Sequence, residues 1–527
     1  NITGIDLDTR AKQLSQFALL LKACQKDAAF ADAHCMPNVL TMPKPWNSEA
    51  QGPIQDMLHI YFQGEATNQQ KEEIMGCFNL MQDADSLGSI MKFNICESTR
   101  LLIKQTTNYW CNQEIVPEEV RTQIPAFKLI LALTEKYLAL VMNPPYMGSG
   151  NMNGVLSKYV KDEYKDGKAD LATVFVEMMG QHTSANGSYA FIIPPSWMFL
   201  STFEGLRKNI IENQSIESLL HLSRGVFGAD FGASSAVIKN TSNANACGTY
   251  FRLVERTFQE FEQSHLRMLF EQTLANHDFK YNFKEYTKDV TELPYSEDGN
   301  RIYYPNVEQM NFVKIPGCPI GYWVKKQILD TFSNKTISGK YEVRAGLSTS
   351  DSKRFLRLWH EVNINRCNFD ALNEDCAILS KAKWFPINKG GSCRKWYGNR
   401  DYLLNYYNNG EELKYWLTHN PNDPTTTSWS RYIRSPKFYF KKSLTWSKVA
   451  SGDFSLRYCP PGSIFSDASN GIFIEDDNEW KYLLGLMNSK LTNVYLKIVS
   501  PTLNTTSGDI GKIPFIYKLN CNIQDII

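Results

Sequence analysis

The stretch of the chain best suited to chemistry is LALVMNPPYMGSG, where an apolar run ends on Asn143, Pro144, Pro145 and Tyr146. Two consecutive prolines fix φ and remove two backbone donors, so the carbonyls beside them are free to accept from another group. The side-chain oxygen of Asn143 and the carbonyl of Pro144 could together accept both hydrogens of one planar amino group. Such an amine is a poor nucleophile because its lone pair is delocalised into the ring that carries it. Two acceptors held off the ring plane favour a pyramidal nitrogen whose lone pair points at an electrophile. Tyr146 would supply a flat face for the ring, and base–aromatic stacking is worth about 1–3 kcal/mol per base. This chemistry needs neither a metal nor an activated side-chain nucleophile. The plainer alternative is a Pro-Pro turn that merely ends a strand.

Several elements must position that loop. KYLALVM reads as a buried strand leading into it. Upstream, NITGIDLD reads as a short strand ending on Asp6, with Asp8 as N-cap of a helix whose Ala11, Leu14, Ala18 and Leu21 fall at helical spacing. That unit is half of a βαβ crossover. MQDADSLG reads as a strand end with a turn, carrying Asp85 and Ser86. After the loop come a helix around Leu171, Phe175, Met178 and Met179, the strand GSYAFIIPPSW, the helix FEGLRKNIIEN, and the strands IESLLHL and SSAVIKN. Alternation of this kind implies a doubly wound α/β sheet, and such sheets bind ligands at the carboxyl ends of their strands.

At 527 residues the chain is expected to hold two or three domains, and 43% hydrophobic residues exclude a disordered protein. Lys plus Arg number 56 against 55 Asp plus Glu, which argues against a protein that coats nucleic acid non-specifically. The 12 Cys include no C-x-x-C pair, so a zinc ribbon is not expected, and their scatter suits a reduced, cytoplasmic setting. No membrane span or export leader is visible. The basic charge is concentrated: residues 381–460 hold 14 Lys plus Arg against 5 Asp plus Glu, with 17 aromatics. Cations interleaved with rings are the composition of a nucleic-acid face, and the candidates are Arg394, Lys395, Arg400, Arg431, Arg434, Lys441, Lys442 and Lys448. The expected division is 1–325, with helical insertions near 35–135 and 250–310, followed by 335–527.

The tetrapeptide Asn143–Tyr146 resembles the [D/N/S]-P-P-[Y/F/W] motif of amino-methyltransferases. The order strand–acid, ADSL, NPPY, KADLATVFVEMM, GSYAFIIPPSWMF, VFGADFGASSAVIKN resembles the N6-adenine DNA methyltransferases of the γ arrangement. WFPINKGGSCRKWYGN, SLTWSKVASGDFSLRYCPPGSIF and LLGLMNSKLTNVYLKIVSPTLN resemble the recognition half of the large BREX phage-defence methyltransferases, and type IIG restriction–modification enzymes share parts of it. The resemblance implies a Rossmann-like class I methyltransferase sheet, incomplete at its amino end, followed by a mixed α/β target-recognition domain. It implies S-adenosylmethionine as cofactor and duplex DNA as partner, with other phage-defence proteins as further partners. Asp6 would take the ribose hydroxyls, Asp85 and Ser86 the cofactor's adenine, and Asn143 would border both cofactor and base. Phe227 or Phe231 would give the flipped base its second aromatic face, while Asp170 and Phe175 would be mainly structural, with Asp170 helping to shape the pocket. The family's D/N-P-x-x-G-x-G loop is expected about 20 residues before the acid. NKGGSC, SGDIGK and VRAGLSTSD do not match it, so the chain is expected to be part of a longer protein. The alternatives are a DNA-binding subunit without activity, or a methyltransferase acting on RNA or protein glutamine.

Overall fold

The computed structural model describes residues 2–33, 36–48, 52–226, 232–255, 260–287, 293–450 and 452–516. Packing divides the chain into two units. The first is Asn1–Pro194 with Lys208–Leu220 and Ala233–Thr249; the second is Pro195–Arg207, His221–Gly232 and Tyr250–Ile527.

In the first unit, β1 (Thr3–Asp6) leads into α1 (Thr9–Lys26), whose N-terminus is capped by Asp8 accepting from Arg10 N–H at 2.6 Å. The chain returns in β2 (Asn38–Thr41), parallel to β1 in the register Thr3↔Asn38 to Asp6↔Thr41, as the strand–acid–helix pattern requires. These two strands form a sheet of their own rather than joining β3 (Tyr137–Met142). β3 instead pairs in parallel with β4 (Thr183–Ile193), Met142 lying opposite Phe191. β6 (Ala233–Lys239) runs antiparallel to β4, and β5 (Ser215–Leu222) lies on its far side, so the sheet is mixed.

Three sequence expectations are corrected here. KYLALVM forms the expected strand, but it is not buried: Leu138 is 77% and Val141 84% exposed. Among the described residues β3 has β4 as its one strand neighbour, and an edge strand leaves its outer side uncovered. MQDADSLG is not a strand end but two short helical turns, Met81–Asp83 and Ala84–Leu87. The local Asp and Ser suit such turns as well as a strand terminus, and the buried Met81, Ala84 and Leu87 follow helical spacing. Residues 250–310 were expected to form a helical insertion; among the described residues they hold one 13-residue helix, Gln263–Ala275, with the short strands Lys280–Tyr281, Asn300–Arg301 and Tyr303–Glu308. The aromatic residues there favour extended backbone once packed. The stretch 35–135 is largely helical as expected. Its core includes stacked Tyr61 and Phe127 rings, 4.0 Å apart, and Trp110 Nε1 donating to Tyr61 O at 2.8 Å.

The second unit contains two four-stranded sheets. One places Glu342–Arg344, Gly471–Phe473, Ser443–Trp446 and Leu456–Cys459 side by side. The other places Leu356–Leu358, Tyr402–Asn405, Trp384–Asn388 and Ile464–Phe465 side by side. Each has its own apolar core, around Trp446, Leu456 and Ile498 in the first and Phe385, Tyr406 and Phe440 in the second. Among the described residues no helix is long and apolar enough to cross a membrane, and no cluster of three His, Cys, Asp or Glu is arranged to hold a metal.

Candidate active site

β3 delivers its last residue, Met142, directly to Asn143, so the loop 143–148 begins at the carboxyl end of a strand. Asn143 is exposed, Pro144 is buried and Tyr146 is 37% exposed. The Tyr146 hydroxyl donates to Asn143 Oδ1 at 2.8 Å and reaches Ile192 O, at the end of β4, at 3.1 Å. The ring is thereby fixed against the neighbouring strand. A carbonyl oxygen has two lone pairs, so Asn143 Oδ1 keeps one for a ligand. Among the described residues the Pro144 carbonyl accepts no hydrogen bond. Burial raises the Tyr146 phenol above its ordinary value, so it stays a neutral donor at physiological pH.

Asp170 holds the other side of the loop. It is the N-cap of the helix Leu171–His182, accepting from Ala172 N–H at 2.9 Å, and the same oxygen lies 3.4 Å from Met147 N. Leu171 N–H donates to Met147 O and Ser149 N–H to Ala169 O, each at 2.9 Å, so loop and helix start are stitched together. Asp170→Ala is expected to lower stability by about 1–2 kcal/mol through loss of the cap. Asp170→Ser should retain most of it, as measured by urea unfolding of both variants.

The loop borders an open cleft. Its wall includes Asp6 and Leu7 from the end of β1, Ser86, Gly88, Asn143, Pro145, Leu156 and Phe175. Asp6 Oδ1 accepts from Asp8 N–H at 2.9 Å, which fixes the carboxylate and leaves its second oxygen for a ligand. Ser86 Oγ accepts from Asn153 Nδ2 at 3.1 Å, and Asn153 caps the helix Gly154–Glu163. Asp85 is exposed and is not part of this wall. Phe227 and Phe231 lie outside the described residues.

The sequence reading missed Gly88, Asn153 and Leu156. Gly88 has φ +55°, in the left-handed region that favours glycine, and a Cβ there would stand 3.4 Å from Leu7. The dipeptide Leu-Gly closing ADSLG was its available signal. Asn153, three residues before Leu156, had the ordinary look of a helix cap.

The basic candidates of the second unit differ in their surroundings. Arg394 is exposed and has no side-chain partner among the described residues, while Lys395 Nζ donates to Asn488 O at 2.8 Å. Arg400 donates to Tyr397 Oη at 2.8 Å and to Ser463 Oγ at 3.3 Å. Arg431 and Arg434 are exposed, Arg434 Nε donating to Arg431 O at 3.0 Å, and Lys441 lies over the Phe438 ring. Lys442 is committed elsewhere, to Asp477 at 2.5 Å and Glu475 O at 2.8 Å. Lys448 is half-buried.

Residues 1–227 match the model of the Eco57I restriction-modification methylase family. Across the whole chain, 31% of residues are identical to the adenine-specific methyltransferase BrxX of Escherichia coli O9:H4 (strain HS). A second relative, the adenine-specific methyltransferase PglX of Lacticaseibacillus casei (strain Zhang), is 30% identical over 98% of the chain. The chain spans 41% of the first relative's length and 40% of the second's. The solved structure of the type IIL restriction-modification enzyme MmeI in complex with DNA aligns over 89% of this chain and 63% of its own, at 13% identity and a TM-score of 0.43. The part matching the family model contains Asp6, Ser86, the 143–146 loop and its Asp170 support.

Proposed function

We propose that this chain is the core of a site-specific DNA methyltransferase that transfers a methyl group from S-adenosylmethionine to the N6 amino group of adenine in duplex DNA, in the bacterial cytoplasm, serving BREX-type phage defence or restriction–modification. The observation that carries the reading is the pair of acceptors at the end of β3, Asn143 Oδ1 and the unoccupied Pro144 carbonyl, bordering the same cleft as the strand-end carboxylate Asp6. The first unit is then a Rossmann-like methyltransferase sheet, and the later residues supply target recognition.

The cleft suits the cofactor. Its mixed wall offers a carboxylate with one oxygen free for the ribose hydroxyls, the Ser86 hydroxyl beside Asp85 for the adenine end, and apolar contacts from Leu7, Leu156 and Phe175. When bound, S-adenosylmethionine supplies a methyl group on a sulfonium, an electrophile that needs no further activation. The chain's part is to prepare the acceptor. An adenine extruded from the duplex costs a few kcal/mol in lost stacking and pairing, which aromatic faces offset. Tyr146 gives one face and Phe227 or Phe231 the other. Asn143 Oδ1 and Pro144 O accept from the exocyclic amino group and hold its lone pair out of the ring plane. Tyr146, by donating to Asn143, orients the amide so that its oxygen rather than its nitrogen meets the amino group.

The test is incubation of the full-length protein with methyl-labelled cofactor and duplex DNA, followed by nucleoside analysis; label in N6-methyladenine is expected. Label in RNA or in glutamine, or none at all, would overturn the reading. Tyr146→Phe keeps the stacking face but loses the hydroxyl that orients Asn143, so it should lose activity, though less than Tyr146→Ala. Tyr146→Ala should lose about 5–150-fold, the equivalent of one lost stacking partner. Because the phenol stays protonated, Tyr146 should contribute no alkaline limb to the rate below about pH 10.

A further inference from the structure

The loop 389–401 connects the paired strands Trp384–Asn388 and Tyr402–Asn405, and its backbone is unusual. Gly390, Gly391, Gly398 and Asn399 have positive φ, which glycine and asparagine accept readily. Trp396 has φ +74°, a conformation in which a bulky side chain is an outlier that persists only where its surroundings enforce it. Here they do: Trp396 N–H donates to Leu456 O at 3.0 Å, and Tyr458 N–H donates to Trp396 O at 2.8 Å. Ser447 Oγ donates to Gly391 O and Asn399 Nδ2 to Ser392 O, each at 3.0 Å, tying down the rest of the loop.

This enforced geometry leaves more than half of the Trp396 side chain uncovered. It is 54% exposed, and among the described residues it has no ring or cation contact. Other exposed tryptophans of the unit are partnered: Trp429 has Lys414 Nζ 4.9 Å from its centroid, and Trp359 meets His360 edge-on. Beside Trp396 stand Tyr397, 56% exposed, and Arg394, whose guanidinium is free among the described residues. Along 389–401 the charges are Lys389, Arg394, Lys395 and Arg400 against Asp401. A rigid, exposed ring amid cations, one of them the free Arg394 guanidinium, is complementary to a polyanion that also offers flat faces. We propose that this loop enters duplex DNA, with Trp396 stacking on a base of the target site and Arg394 contacting a neighbouring phosphate. Rigidity lowers the ordering cost of that contact, which accounts for the strained backbone. The inference rests on the functional reading above, and it adds the residues by which the second unit would grip DNA.

The experiment measures binding of the full-length protein to a fluorescein-labelled duplex carrying a site that the wild-type protein methylates, over a range of salt. Trp396→Ala is expected to weaken binding about 5–150-fold without changing the salt slope, and Trp396→Phe to restore most of the loss. Arg394→Gln should reduce the slope of log K against log salt by about 1. Trp396→Gly separates binding from folding: it relieves the backbone, so its melting temperature should equal or exceed the wild type's while its DNA binding still falls. Wild-type binding by Trp396→Ala, in a protein that still methylates the duplex, would overturn this inference and leave the functional reading standing. A wild-type protein that neither binds nor methylates duplex DNA would overturn both.

Discussion

Replacing Asn143 with Ala is expected to reduce methyl transfer by about 10²–10³-fold, the usual effect of deleting one preorganised polar group that acts on the reacting atoms. Affinity for duplex DNA should stay within about twofold of wild type, because in the proposed chemistry Asn143 addresses one amino group and not the backbone of the duplex. Labelled-methyl transfer and DNA titration on the same full-length preparation separate the two quantities. The substitution also removes the acceptor that the Tyr146 hydroxyl uses at 2.8 Å, but that hydroxyl keeps Ile192 O, so the ring retains an anchor. Asn143→Asp adds a useful contrast. It preserves both acceptors while replacing the donor nitrogen with a second, negatively charged oxygen, so it should retain more activity than Ala. Transfer unchanged in Asn143→Ala would remove this residue from the proposed chemistry.

The largest stability effect is expected at Arg207. This side chain is fully buried in the second unit and donates to four backbone carbonyls: Nη1 to Trp197 O and Leu200 O at 2.7 Å each, Nη2 to Gly317 O at 2.6 Å, and Nε to Cys318 O at 3.0 Å. The carbonyl dipoles, with the Glu204 carboxylate nearby, offset its charge. Burial lowers its pKa to about 10, which leaves it charged at neutral pH. Substituting Met at Arg207 would strand these acceptors, each costing about 1–3 kcal/mol when buried and unsatisfied. Relaxation and water entry reduce the total, so a loss on the order of 3–5 kcal/mol is expected in urea unfolding. Arg207→Lys should recover only part of it, since one ammonium cannot span the carbonyls that a guanidinium fork reaches. A loss under about 1 kcal/mol for Met would mean that the carbonyls find other donors.

Much of the site could be read from sequence because its signals are local. A strand followed by two prolines must end where the prolines begin, an acid just before an apolar-periodic stretch caps a helix, and a strand–helix–strand unit returns in parallel. Asp6, Asp8, Asn143 to Tyr146 and the helix at Leu171 all follow from rules spanning a few residues, and the structure has each of these elements. The short turns at Ala84–Leu87 were misread for the complementary reason. Four residues do not hold enough periodicity to separate a helical turn from a strand terminus, and packing of Met81, Ala84 and Leu87 settles the matter.

What the amino-acid sequence determined by itself was the chemistry available: two acceptors and a ring in one stiff loop, a carboxylate at a strand end, and a basic, aromatic segment. Tertiary structure decided which of those groups are free to act. It bound the Tyr146 hydroxyl to Asn143, set Ser86 but not Asp85 in the cleft wall, paired Lys442 with Asp477, and left Leu138 and Val141 of β3 uncovered. It also bent Trp396 into a conformation that no propensity would assign. The physical reason is range. Backbone propensity and capping act between neighbours in the chain, whereas exposure, pairing and strain arise from contacts between residues far apart in it.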